Sequence, residues 1–235
     1  MVQNRFNMKE FDPKGLIFIL FCTRIPPVKP KLEVKMLGAV SSIVIILSGS
    51  SASGKSSLQK ELLGIMPTPF VKVGIDNLFD QVVADEINIG TPPENFDQYK
   101  IRSVTFGTQG EHPTVKLEIG PWGQRVIDGM IGAIKAYADA GNNVVVDYIQ
   151  YDTSWTPKLR QALKNHKVYW VKVNIPLEVL EEREKDRGTS PVGHARAHYD
   201  TIHQGIVYDT EVDTSKLSPD KAAIAIKKYI LKHPK

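Results

Sequence analysis

The sequence predicts an α/β fold in which helices cover both faces of a parallel sheet, giving three layers. Short apolar runs typical of buried strands alternate with longer stretches of helical periodicity. The first run, Ile43–Leu47, is rich in β-branched residues and leads directly into a glycine-bounded turn and a helix. Because crossovers between parallel strands are right-handed, we expect a ligand site beyond the carboxyl ends of the strands.

The turn after the first strand carries a phosphate-binding motif. Residues 49–56, GSSASGKS, match the P-loop (Walker A) pattern G-x-x-x-x-G-K-[ST]. Small residues let backbone N–H groups curl around phosphate oxygens, and the following helix presents its positive dipole end. The pattern predicts Lys55 on the β and γ phosphates and the Ser56 hydroxyl on Mg²⁺. The residues expected to cradle the phosphates are Gly49, Ser50, Ser51, Ala52, Ser53, Gly54, Lys55, Ser56 and Ser57.

The segments between the motif and the middle of the chain follow from apolar spacing. A helical stripe ends at Pro67, and Phe70–Ile75 predicts a second strand. Residues 88–103 are rich in glycine, proline and polar groups, which indicates an exposed excursion. Alternation over Val104–Ile119 predicts a hairpin with its turn near residues 108–111. The apolar stripe consists of Leu58, Leu62, Leu63 and Met66.

The second half continues the alternation of helix and strand. Helical spacing from Gln124 to Gly141 precedes a buried strand at Val144–Asp147. Thr156-Pro157 has the composition of an N-cap followed by a first-turn proline, and predicts a helix to Leu163. Val168–Val173 predicts a fourth strand. The inward residues of the first of these helices are expected to be Ile127, Met130, Ile131, Ile134 and Tyr137.

The last third begins with a charged helix from Pro176 to Gly188. Residues 188–205 are polar and suit a mobile lid. A short strand near Val207–Val212 and a helix capped by Ser218-Pro219 complete the chain. The apolar positions of that helix are Ala222, Ile224, Ile226, Tyr229 and Ile230.

The leader, residues 1–38, is expected to be extended or disordered, with one domain over residues 39–235. Seven basic and three acidic residues among the first 35 account for the whole net charge of +4, so the basicity does not predict nucleic-acid binding. The apolar run at residues 15–22 is too short to span a membrane. Cys22 is the single cysteine, which favours a reducing compartment such as the cytoplasm.

Two carboxylates follow predicted strands. Asp76 stands where a general base could accept a proton from a substrate hydroxyl, although an N-cap role is equally compatible with its position. Asp147 could anchor Mg²⁺, as an acidic residue after an apolar strand does in phosphate-loop enzymes, or could simply form a turn.

Basic residues gather after the fourth strand. Arg183 and Arg187 are four apart, so one helix face could direct both guanidinium groups toward the phosphates. The alternative is a solvated helix with ion pairs along its surface. Three histidines, at positions 194, 198 and 203, could suggest a metal site, but without cysteines or paired carboxylates they are better interpreted as lid or surface residues.

These residues together resemble the chloramphenicol phosphotransferase-like family of P-loop small-molecule kinases, from about Ile43 to Thr214. The resemblance rests on ILSGSSASGKSSL, on VGIDNLFD, on residues 119–147, and on REKDRG followed by residues 203–214. It implies a P-loop NTPase fold similar to nucleoside and shikimate kinases, with strand order 2-3-1-4-5 and an insert at about residues 88–119. Thr189-Ser190, in place of an acidic residue and a second arginine, leaves the acceptor open.

The resemblance implies transfer of the ATP γ-phosphate to a hydroxyl of a small molecule, with Mg²⁺. Asp76 would be the base, Lys55 and Ser56 would contact phosphates and metal, and Arg187 would belong to the lid. Arg183 is predicted to help bind the nucleotide. Two alternatives stay open: a kinase acting on a nucleoside or protein, and a nucleotide-dependent regulatory module without transfer activity. No nucleic-acid or membrane partner is expected.

Overall fold

The computed structural model describes residues 41–74 and 102–235. Seven strands lie in this part of the chain. They are β1 (Ile43–Ser48), β2 (Phe70–Gly74), β3 (Arg102–Gln109), β4 (His112–Ile119), β5 (Asn143–Tyr148), β6 (Lys167–Asn174) and β7 (Thr210–Asp213). Five of them form a parallel sheet in the order β2-β5-β1-β6-β7, and β3 pairs with β4 as an antiparallel hairpin. Counting only the strands of the large sheet, the order is 2-3-1-4-5, as the family resemblance implied.

Six helices complete the described part of the chain. They are α1 (Lys55–Ile65), α2 (Pro121–Asp139), α3 (Trp155–Ala162), α4 (Leu177–Arg187), α5 (His194–His198) and α6 (Pro219–Lys232). One face of the sheet packs against α2 and α3, and the other packs against α1 and α6. The three-layer α/β prediction is therefore confirmed. None of the described helices is long and apolar enough to span a membrane.

Strand β1 lies at the centre of the core because its side chains serve both faces. Val44 and Ile46 pack with the helices of one layer, whereas Ile45 and Leu47 pack with those of the other, and all four are fully buried. An uninterrupted apolar run is what a strand covered on both faces requires. β1 ends at the phosphate loop, which is thus carried by the most deeply buried strand of the sheet.

A buried glutamine fixes α1 to the sheet. Gln59 is 1 % exposed, and its side-chain amide donates hydrogen bonds to the carbonyl oxygens of Val73 in β2 (2.8 Å) and Val145 in β5 (2.9 Å). An amide buried in this way needs such partners, since an unpaired one would carry its full desolvation cost. The helix that starts at Lys55 is therefore bound to two neighbouring strands.

The hairpin docks on α5. The Val115 N–H donates to the Gly193 carbonyl at 3.0 Å, and the Leu117 N–H donates to Nε2 of His198 at 2.8 Å. β4 therefore uses outward-facing backbone groups to attach to a segment about 80 residues later in the chain. The hairpin prediction over Val104–Ile119 is confirmed, with its turn at Gly110-Glu111.

Three sequence predictions need correction. Helix α3 begins at Trp155, because the Asp152 carboxylate accepts the Ser154 N–H at 2.8 Å, and Thr156 is buried with its hydroxyl bonded to Tyr148 at 3.0 Å. The last strand starts at Thr210 instead of near residue 207, after Asp209 has bonded to the Trp170 backbone. Tyr137, expected to face inward, is 45 % exposed.

Candidate active site

The phosphate loop connects β1 to α1 through a tightly folded backbone. A Cβ atom on Gly49 would lie 2.8 Å from both Ser53 Oγ and the Val173 carbonyl, so no side chain fits there. Ala52 and Gly54 adopt left-handed φ values of 60° and 91°, and the Ser53 N–H donates to the Ser50 carbonyl at 3.3 Å. Alternation of left- and right-handed residues is what turns successive N–H groups toward an anion.

Lys55, Ser56 and Asp147 meet at the start of α1. Lys55 is 4 % exposed, its Nζ donates to the Ser50 carbonyl at 2.5 Å, and it lies 3.6 Å from Asp147 Oδ1. The Ser56 hydroxyl donates to Asp147 Oδ2 at 2.7 Å. Asp147 sits in β5 between Leu47 of β1 and Gly74 of β2 in register. A cation, a hydroxyl and a carboxylate from two distant parts of the chain are thus in direct contact.

The two arginines of α4 reach the same region. Arg183 Nη2 donates to the Thr214 carbonyl at 2.7 Å and Nη1 to the Thr214 hydroxyl at 3.3 Å. That hydroxyl also donates to the Ser53 carbonyl at 2.8 Å. Arg183 is therefore tied to the phosphate loop through Thr214, a residue that the sequence did not single out as functional. Arg187, at the end of α4, lines the cleft in front of the loop.

That cleft has a volume of about 590 Å³, within the range of small-molecule sites. Its lining combines groups suited to phosphates with apolar residues from the start of α6 and the loop before it. The residues of the cleft are Ser51, Ala52, Gly54, Lys55, Ser56, Ser57, Leu58, Asp147, Ile149, Arg183, Asp186, Arg187, Thr214, Leu217 and Pro219. Gly49, Ser50 and Ser53, also predicted to cradle phosphates, form the buried base of the loop.

Asp76, the predicted base, lies outside the described residues. The nearest described feature is the end of β2 at Gly74, which is in register with Asp147. The leader and residues 88–101 of the predicted excursion also lie outside the described residues, whereas the last two residues of that excursion, Arg102 and Ser103, begin β3.

An aromatic cluster borders the other side of the loop. A small hollow there is lined by Ser50, Ser51 and three ring-bearing residues, Tyr151, His194 and His198. The Tyr151 hydroxyl is 3.0 Å from His194 Nε2, and the ring centroids of Tyr151 and His198 are 5.0 Å apart. Burial, followed by the nearby His194 and Lys116, lowers the pKa of His198 to about 4. The ring is therefore neutral near pH 7, and its Nε2 can accept the Leu117 N–H.

His203 forms a half-buried pair with Tyr208. Its Nδ1 is 2.5 Å from the Tyr208 hydroxyl, which is 3.0 Å from the hydroxyl of Ser48, the residue before Gly49. Burial, and then Lys172 and Lys55, lowers the pKa of His203 to about 4, while burial raises that of Tyr208 to about 12. The histidine prediction was thus wrong on exposure for His198, which is 6 % exposed. The described residues contain no cluster of three or more metal-binding side chains.

Sequence reasoning missed Tyr151, Thr214 and Glu184 as parts of this region. The stretch 188–205, predicted to be a polar lid, contains α5 and buries Ala195, His198 and Ile202. Only the HQGIVYDTEVDT segment hinted at Thr214, through its place in the family resemblance. Tyr151 and Glu184 belong to this region through contacts with α5 and the residue before it: Tyr151 contacts His194, and Glu184 accepts the N–H groups of Gly193 and Ala195.

The sequence of this chain matches a known protein family and a curated relative. A family model described as "Chloramphenicol phosphotransferase-like protein" matches residues 42–231. A Mycobacterium tuberculosis protein named "Putative O-phosphotransferase" is 26 % identical over 185 residues, which is 77 % of this chain and 78 % of that protein.

Two solved structures share the fold. One is the M. tuberculosis APS kinase in complex with AMPPNP and APS, at 15 % identity and a TM-score of 0.53, covering 81 % of this chain and 98 % of that one. Another is a gluconokinase from Sinorhizobium meliloti, at 17 % identity and a TM-score of 0.50, covering 83 % and 93 %. At these identities the likeness concerns the fold.

Proposed function

Because the chain belongs to the chloramphenicol phosphotransferase-like family, we propose that it transfers the γ-phosphate of ATP to a hydroxyl group of a small molecule. The observation that carries the proposal is the contact of Lys55 and Ser56 with Asp147 at the mouth of the phosphate loop. Burying a lysine is costly even beside a carboxylate. A phosphate ligand in the adjoining cleft would account for a buried lysine at this position.

The donor set fits Mg²⁺. The Ser56 hydroxyl and the Asp147 carboxylate are oxygen donors 2.7 Å apart, and Mg²⁺ is usually held by one or two such groups together with substrate phosphates and water. Both residues would hold the ion, Ser56 directly and Asp147 through a water. When bound, the ion neutralises charge on the phosphates.

Lys55 would bind the phosphates. An ammonium group has three donors, and only one is used by the Ser50 carbonyl, which holds the side chain in a fixed direction. The other donors are available to phosphate oxygens, and near-complete burial strengthens such contacts.

The two arginines of α4 would have different roles. Arg183, held by Thr214, would keep the cleft wall against the phosphate loop. Arg187, which also lines the cleft, would offset charge on the transferring phosphoryl group, where positioning and electrostatics provide most of the rate acceleration. In this proposal Asp76 takes the proton of the acceptor hydroxyl. Support for Asp76 comes from the sequence, since it follows β2 by two residues.

The test is phosphate transfer from γ-labelled ATP to a panel of alcohols that includes chloramphenicol, with the wild type, Asp76→Asn and a control, Asp128→Asn. Asp128 is an exposed residue of α2 that pairs with Lys158. We expect labelled product with the wild type and the control, and unchanged ATP binding by Asp76→Asn with turnover reduced by about 10²- to 10⁴-fold. Near-normal turnover would remove Asp76 from the mechanism. ATP binding without any labelled product would favour the regulatory module, and label in added protein or nucleoside would redefine the acceptor.

A further inference from the structure

Glu184 is a buried carboxylate that the proposed reaction does not yet use. It lies on α4 between Arg183 and Arg187 and is 2 % exposed. Its Oε2 accepts the Gly193 N–H at 2.8 Å and its Oε1 accepts the Ala195 N–H at 2.7 Å. No cation pairs with it among the residues that the structure describes. A carboxylate buried without a cation is costly, so the two amide donors are what make its position tolerable.

The same residue holds both ends of the loop that follows Arg187. The backbone carbonyl of Glu184 accepts the Gly188 N–H at 3.2 Å, and its carboxylate accepts the Gly193 N–H. Both glycines adopt left-handed conformations, with φ values of 62° and 98°. The loop 188–193 is therefore held at both ends by one residue, Glu184, through its backbone carbonyl at the start and its carboxylate at the end. Arg187 directly precedes this loop.

The hairpin attaches to the far end of this loop. The Gly193 carbonyl accepts the Val115 N–H, and a Cβ at Gly193 would lie 2.4 Å from the Pro113 carbonyl oxygen. Gly193 thus bonds to β4 through its C=O and to Glu184 through its N–H. Glu184 links the helix that carries both arginines to the segment on which the hairpin rests.

We infer that Glu184 is a positioning residue for phosphoryl transfer. This role rests on the proposed function: Glu184 holds the loop after Arg187, and with it the Arg187 guanidinium group, in place at the cleft. A small displacement of a charge-stabilising group costs much in rate, because its interaction must be aligned when charge develops. α4 and α5 are also joined by the bidentate pair of Glu181 and Arg196, at 2.6 and 2.7 Å. A variant at Glu184 therefore keeps one tie between these helices.

The experiment compares Glu184→Gln with Glu181→Gln in the full chain. Glutamine has the same shape as glutamate but directs an NH₂ group at one of the two amide donors. We expect kcat of Glu184→Gln to fall on the order of ten- to a hundredfold with little change in KM for ATP. Hydrogen exchange at the Gly193 and Ala195 amides should accelerate. Glu181→Gln weakens the half-buried pair with Arg196 on the same helix and should change kcat by less than about twofold.

A mutant cycle with Arg187→Lys shows whether the effect passes through Arg187. We expect the double variant to lose little more activity than the worse single variant, since both changes disable one interaction. Fully additive losses, or an unchanged kcat in Glu184→Gln, would overturn the inference. If Glu184→Gln melts below the assay temperature, Glu184→Asp is measured by the same criteria. A wild type that transfers no phosphate would refute the proposed function, whereas an active wild type matched by Glu184→Gln refutes the positioning role alone.

Discussion

The two sides of the phosphate loop are built in different ways. The cleft side consists of side chains with distinct chemistry: Lys55 and Ser56 from the start of α1, and Asp147 from the end of β5. The hairpin side consists mainly of backbone groups, in which Val115 and Leu117 bond to Gly193 and His198. Substitutions on the first side should therefore remove activity and leave the fold intact. Substitutions on the hairpin side should mainly reduce the free energy of unfolding.

The largest expected effect is on the cleft side. Lys55→Ala removes a buried cation that we propose binds the phosphates, and should lower turnover by about 10²- to 10³-fold with little change in melting temperature. The matched control is Lys60→Ala, an exposed lysine of the same helix, which should keep wild-type turnover. Steady-state kinetics and thermal melts of both variants provide the comparison. A large loss of stability in Lys55→Ala with normal turnover would reverse the contrast between the two sides.

A smaller effect, on stability, is expected on the hairpin side. Gly193→Ala places a methyl group 2.4 Å from the Pro113 carbonyl oxygen at a φ of 98°, and should lower the free energy of unfolding by about 1–3 kcal/mol or more. Gly205→Ala is the control, because its φ of 70° is also left-handed but no atom lies within 4 Å of the added Cβ. Its cost should be limited to backbone strain of about 1–2 kcal/mol. Denaturant unfolding measures both, and equal losses would show that the hairpin contact contributes nothing.

The most gradual effect concerns pH. His198 and His203 have pKa values of about 4 in the folded protein, below the ordinary value of 6.5. Between these values the unfolded chain binds more protons than the folded one, so stability falls as the pH is lowered from about 6.5 to about 4. Melting temperatures over this range should drop gradually. His198→Gln, whose side-chain oxygen can still accept the Leu117 N–H, should flatten the decline, and an unchanged profile would assign the acid sensitivity to other groups.

The predictions from sequence succeeded where a signal is local. The P-loop pattern predicts a strand, a turn and a helix start by spacing alone, and the structure has this order at β1 and α1. The apolar runs mark strands buried on both faces, as Val144 to Val146 show. The strand order came from the family resemblance and not from the pattern of residues. The helix start predicted from Thr156-Pro157 was wrong because the Asp152 carboxylate accepts the Ser154 N–H and organises the turn before the helix, which begins at Trp155.

The remaining features depend on contacts that no local pattern encodes. Glu184 belongs to a charged helix and resembles any solvated glutamate, yet it is buried because its amide partners lie nine and eleven residues later in a folded loop. His198 is equally inconspicuous, since its partner is a backbone N–H from the hairpin. Side chains that satisfy distant backbone groups have no spacing rule, and only the assembled structure identifies them.

Gln59 has a consequence for how new specificities could arise on this scaffold. Its amide clamps the helix that opens with Lys55 to both β2 and β5, so the strand leading toward Asp76 and the phosphate-binding end share one rigid frame. The attachment of α1 to these two strands does not depend on the loops around the cleft. Segments that we propose face the acceptor could therefore be exchanged among relatives while this frame stayed the same.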